Sequence, residues 1–67
     1  MGWVKSVREA LGMSASQLGR RLGISRQGVS DLEAREQAGN VTLAALKNAA
    51  AAMNCDLVYA IVPKSTL

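Results

Sequence analysis

A mainly α domain of four short helices, closed by a single C-terminal β-strand, is the fold class that this sequence predicts. Three observations lead there. Apolar residues recur at helical spacing in four separate stretches. Glycines and helix-capping hydroxyl residues stand between those stretches. The period then changes, after residue 55, to one continuous apolar and β-branched run.

The first helix carries Trp3, Val7, Ala10 and Leu11 as its expected buried stripe, with Lys5, Arg8 and Glu9 away from it, and ends at Gly12. Ser14-Ala15-Ser16-Gln17 reads as a capping box, with Ser14 as N-cap and Gln17 reaching back. Leu18 and Leu22 give the second helix its buried face, and Gly23 stops it. Ser25 caps a third helix whose apolar residues are Val29 and Leu32; it runs through Glu33-Ala34-Arg35-Glu36 into a turn at Gln37-Ala38-Gly39-Asn40. Thr42 caps the fourth helix, 43–53, where Leu43, Leu46, Ala50 and Met53 keep helical spacing and Asn54 closes the end.

Residues 56–62 contain Leu57, Val58, Tyr59, Ala60, Ile61 and Val62, a strand apolar on both faces that ends at Pro63. A lone strand leaves its backbone N–H and C=O groups unpaired. The same strand from a second copy would satisfy them in a two-fold antiparallel ribbon, and a homodimer is the expectation. The other readings are a final helical turn, or a β-like tail packed on the domain.

Composition narrows the function. With 67 residues the chain makes one domain, 1–67, with a thin core, burying only about 60% of its unfolded surface. It has one cysteine and no histidine, so no disulfide and no metal site is expected, and no cofactor is implied. Cys55 lacks a histidine base and is expected to be buried beside the strand; a lone thiol fits a reducing compartment. No Gly-rich phosphate loop and no strand-turn-helix bearing a serine nucleophile is present, so the chain is not read as an enzyme. It has no stretch approaching the roughly 18 apolar residues of a membrane span, and a cytoplasmic location is expected. Net charge is +3, and six of the eight cations lie in the first 35 residues. A basic half beside a nearly neutral apolar half suggests a polyanion-facing surface next to an interaction surface.

The second and third helices sharpen this. Two helices bent through a short turn need small residues where they touch and an apolar set that fixes their angle. Leu18, Gly19, Leu22, Gly23, Ile24, Val29 and Leu32 meet those needs within fifteen residues, which is the helix-turn-helix pattern, here 15–34. In that geometry the third helix enters the major groove of DNA. Arg26 suits guanine O6 and N7, Gln27 suits adenine N6 and N7, Ser30 donates or accepts, and Asp31 accepts from a cytosine amine. Phosphate contacts are expected from Ser14, Ala15 and Ser16 at the start of the second helix, from Ser25, and from Arg20, Arg21 and Arg35. Gly28 inside the third helix either permits close approach to DNA or is merely tolerated.

The stretch MSASQLGRRLGISRQGVSDLEARE, residues 13–36, resembles the Cro/C1-repressor family of helix-turn-helix domains. WVKSVREALGMSASQLGRRLGISRQGVSDLE followed by CDLVYAIVPK is similar to the mobile mystery protein A family, whose members extend beyond both ends of this segment, so that a trimmed member is implied. The terminal strand is similar to the dimerising strand of HipB-type antitoxins. These resemblances imply a homodimeric regulator that binds an inverted-repeat operator in double-stranded DNA and represses its own operon, with a Fic-domain toxin-like protein as a possible partner. They also imply a structural ion pair between Arg8 and Glu33, and recognition positions at Ser25, Arg26, Gln27, Ser30 and Asp31. The competing reading is a protein-interaction module, a toxin-binding antitoxin that uses this scaffold only to fold.

Overall fold

The computed structural model describes residues 2–65. It holds four helices, α1 (Trp3–Ala10), α2 (Ala15–Leu22), α3 (Arg26–Gln37) and α4 (Leu43–Ala52). Three of the helix starts are fixed by hydroxyl caps. Ser14 Oγ accepts from the Gln17 amide at 3.1 Å while Gln17 Oε1 accepts from the Ser14 amide at 2.7 Å, a complete capping box. Ser25 Oγ accepts from the Gly28 amide, and Thr42 Oγ1 from the Ala45 amide. A left-handed residue closes each helix, Gly12 (φ 69°) after α1, Gly23 (φ 72°) after α2, Gly39 (φ 78°) after α3 and Asn54 (φ 59°) after α4.

Leu18 of α2 and Val29 of α3 are the largest side chains wholly removed from solvent, and Val4, Leu32, Ala49 and Met53 pack around them. The angle between α2 and α3 depends on Gly19. A Cβ at that position would stand 2.7 Å from the backbone oxygen of Ile24, so only hydrogen fits. In turn, the Ile24 amide donates to the Gly19 carbonyl at 2.9 Å, fastening the turn to the helix it leaves.

Several expectations need correction. In α1 it is Val4 that is buried, with Val7 half-buried, whereas Trp3 is 66% and Leu11 53% exposed and Ala10 is exposed too. The inward face is Val4, Val7 and Arg8, spaced i, i+3, i+4; an arginine occupies a stripe position because its charge is paired inside. Apolar spacing alone, which counts arginine as outward, puts the stripe one residue out of phase. Ile24 is not core but 43% exposed. It covers Gly28 instead, where a Cβ would lie 3.3 Å from Ile24 Cδ1, and that gives the mid-helix glycine a packing reason. α3 runs one residue into the expected turn, to Gln37, and Glu33 and Glu36 of its polar end are both buried against the rest of the fold. On α4, Leu43 is exposed and Ala49 takes the innermost place, where a small side chain lets the helix approach the core closely. Cys55 is exposed, not buried.

Among the described residues there is no strand: residues 55–63 adopt no regular element, and the fold is mainly α. A ladder requires two strands, and the sequence holds one such run. Among the described residues no helix is long and apolar enough to cross a membrane.

The Gly19 contact makes a direct prediction. Gly19→Ala is expected to lower unfolding stability by about 1–3 kcal/mol, because backbone rather than a mobile side chain must move. Urea denaturation of the variant beside the parent chain measures this; equal midpoints would show that the α2–α3 approach tolerates a methyl group.

Candidate nucleic-acid interface

The start of α2 and the exposed face of α3 border one open groove. Ser14, Ala15 and Ser16 line it on one side, Arg26 and Ser30 on another, and Lys5 of α1 completes it. Helix geometry explains the α2 contribution. The amides of Ala15 and Ser16, in the first turn, have no intrahelical acceptor, so they face outward with the positive end of the helix dipole. The Ser14 hydroxyl accepts from Gln17 and keeps its own proton to donate.

On α3, Arg26, Gln27, Ser30 and Asp31 are all exposed. Arg26 and Ser30 are four residues apart and share the groove. Gln27 Nε2 donates to Asp31 Oδ1 at 3.0 Å across one helical turn. This orients the amide, leaves its oxygen and second N–H free, and engages one oxygen of the Asp31 carboxylate, which keeps its negative charge and its second oxygen as a free acceptor. Ser25 is the N-cap of α3, its oxygen engaged by Gly28.

The other arginines are elsewhere. Arg20 and Arg21 line a separate groove with Leu11, Gly12, Met13 and Gln17. Arg21 Nη1 donates to the Ala52 carbonyl at 3.0 Å, a cation on the C-terminal end of α4. Arg35 is exposed in the last turn of α3 and is not among the residues of the first groove.

Beneath the groove lies an ion pair. Arg8 Nε donates to Glu33 Oε2 at 2.7 Å and Nη2 to Oε1 at 3.3 Å, while Nη1 donates to the Met13 carbonyl at 2.9 Å. The two side chains are only 12% and 9% exposed. The hydrogen bond to Glu33 raises the Arg8 pKa against the opposing effect of burial, so the guanidinium stays charged at any relevant pH. One guanidinium thus ties α1, the α1–α2 turn and α3 together and has no donor fork left for a ligand.

Glu36 is the residue that sequence reasoning missed. Its buried carboxylate accepts from the Val4 amide at 2.9 Å. It caps α1 from a distance, where the N-cap residue Gly2 has no side chain to do so. The one signal available was that uncapped start; nothing local pointed to a partner 32 residues away. No group of three or more His, Cys, Asp or Glu side chains that could hold a metal ion occurs among the described residues.

A family model described as Helix-turn-helix matches residues 4–59, and the chain belongs to this family, the Cro/C1 type of helix-turn-helix domain. No curated protein and no solved structure is significantly similar to the chain.

Breaking the ion pair from one side is expected to be costly. Arg8→Ala strands a carboxylate in the interior and should lose about 3 kcal/mol of stability, whereas the double change R8M/E33L, which removes both charges, should lose far less. Denaturant titration of both variants decides this. A double variant as unstable as the single one would mean that the pair's geometry, not its charge balance, carries the effect.

Proposed function

We propose that this helix-turn-helix domain binds double-stranded DNA sequence-specifically, as a homodimeric transcriptional repressor acting on its own operon. The observation that carries the reading is the groove itself, with free α2 amides and the Arg26 and Ser30 side chains facing one open space. Laid in the major groove, α3 puts Arg26 in its first turn at a guanine edge, with Gln27 beside it for adenine. Ser30 and Asp31 follow one turn later, and the α2 amides of Ala15 and Ser16 with the Ser14 hydroxyl take the flanking phosphate. Ser25, Arg20 and Arg35 are outer phosphate contacts in this reading. Arg21 is given up as one, since it already holds the end of α4.

The dimer is supported by the C-terminal tail. Val58 is 88%, Ile61 100% and Val62 78% exposed, a concentration of apolar side chains that a solvated tail has no reason to display. Leu57 and Val58 lead out of an apolar groove that Trp3, Val7, Leu46 and Met53 also line. Pairing of residues 56–62 with the same segment of a second copy would satisfy the backbone and cover these side chains at once. The same tail favours a second reading, an antitoxin-like protein that covers it with a Fic-domain toxin-like partner. The two readings differ in what they require of α3, since a toxin binder tolerates loss of Arg26 and a DNA reader does not.

Selection from a randomised duplex pool near physiological salt is expected to recover an inverted repeat with half-sites about 34 Å apart, one turn of DNA. Arg26→Ala should then lose about 1–3 kcal/mol of operator affinity and relax the preference at one base pair. Recovery of no motif would leave a basic surface only and favour the toxin-binding reading. Separately, Tyr59→Pro removes a ladder donor and should sediment as a monomer where the parent chain sediments as a dimer. An unaltered dimer would place the interface outside the tail.

A further inference from the structure

We propose that Lys5 of α1 is a phosphate-binding residue of the DNA interface, a second backbone anchor beside the α2 N-terminus. The inference rests on the DNA-binding reading above and adds to it a helix that the helix-turn-helix pattern does not include.

Three cations reach the groove that holds Ser14, Ala15, Ser16 and Ser30: Lys5, Arg8 and Arg26. Arg8 is spent inside, its fork shared between Glu33 and the Met13 carbonyl. Glu33, the one carboxylate at that groove, is spent on Arg8. The pair cancels, and Lys5 and Arg26 remain as uncompensated charges, so the groove is positive although one anion lines it. Lys5 is exposed and has no salt bridge among the described residues. It also borders Ala34 and Gln37, farther along α3, so its charge flanks the helix well past the first turn.

The two cations differ in chemistry. Arg26 stands in the first turn of α3, and its planar fork fits the paired acceptors of a guanine. An ammonium on a flexible stem has no such fit and acts as a point charge, which suits a phosphodiester. Lys5 therefore belongs to affinity and register, Arg26 to sequence. Arg21, whose guanidinium holds the end of α4, lies in another groove; Lys5 takes the place that spacing within α2 would have given to it.

The test measures duplex affinity at several salt concentrations for the parent chain, Lys5→Gln, Lys5→Arg and Arg26→Ala, on both the selected operator and a scrambled duplex. Lys5→Gln is expected to lower the slope of log K against log salt by about 0.9 per bound copy. That corresponds to about an eightfold loss per copy at 0.1 M salt, equal on both duplexes. Lys5→Arg should restore the slope, and the thermal midpoint of Lys5→Gln should stay at the parent value because the residue is exposed. Arg26→Ala should instead shrink the ratio between operator and scrambled duplex. An unchanged slope in Lys5→Gln, with the parent chain binding normally, overturns the role of Lys5 alone. Failure of the parent chain to bind any duplex overturns the DNA-binding reading and this inference with it.

Discussion

Arg8 and Glu33 lie 25 residues apart in the chain and meet at 2.7 Å, and the presentation of α3 depends on that meeting. Apolar contacts through Leu32 and Val29 hold α3 against the core but are weakly directional. A bidentate guanidinium–carboxylate contact is directional, and here it is locked further by the Met13 carbonyl. It sets how far α3 is rolled about its own axis, and hence which side chains face the groove. Glu36, one turn later, bonds the first turn of α1, so two successive carboxylates of α3 are used on one helix. The desolvation of such a pair offsets most of its Coulomb attraction. What it contributes is an orientation that apolar packing of this small core would leave looser.

The same pair changes how the charge of the chain should be read. Eight cations and a net charge of +3 describe a moderately basic protein. Two of those cations do structural work: Arg8 within the fold and Arg21 on the end of α4. The groove keeps two, Lys5 and Arg26. Two charges and a pair of backbone amides in the groove, with Arg20 and Arg35 as outer contacts, make a weak polyelectrolyte contact, since each neutralised phosphate adds only about 0.9 to the salt slope. A single copy would therefore hold DNA loosely, and two copies on one site would double the slope. On this count the thin charge of each domain is itself an argument for two-fold binding.

Much of this was legible in the sequence, and the parts that were not have a common cause. Caps at Ser14, Ser25 and Thr42, the left-handed closures at Gly23 and Asn54, and the close approach at Gly19 are local, each specified within a few residues. They could be read because a cap or a glycine turn needs nothing beyond its neighbours. The errors arose where a polar residue occupies an interior position with a distant partner. Arg8 displaced the apparent stripe of α1, and Glu33 and Glu36, read as a polar helix end, are buried. Ile24 and Cys55 failed in the opposite sense, as apolar or thiol side chains left outside. The groove was half legible. Ser14, Ala15, Ser16, Arg26 and Ser30 could be assigned from the motif, but the position of Lys5 beside them follows from the roll of α1, which spacing had wrong by one residue.

The tail poses the reverse problem, because it is apolar where the domain is already complete. Leu18 and Val29 fill the centre of the core, and α4 closes it with alanines. Ile61, Val58 and Val62 meanwhile stand in solvent, larger side chains than several that are buried. In a chain this short, with a core too small to supply much stability, the apolar surface held in reserve is substantial beside the surface already used. In the proposed dimer that reserve becomes interface, and stability then rises with concentration by mass action. Folding, pairing and operator binding are linked in that case through one segment. Anything that competes for residues 56–62 would then act on DNA affinity without touching α3, which gives the domain a route to regulation.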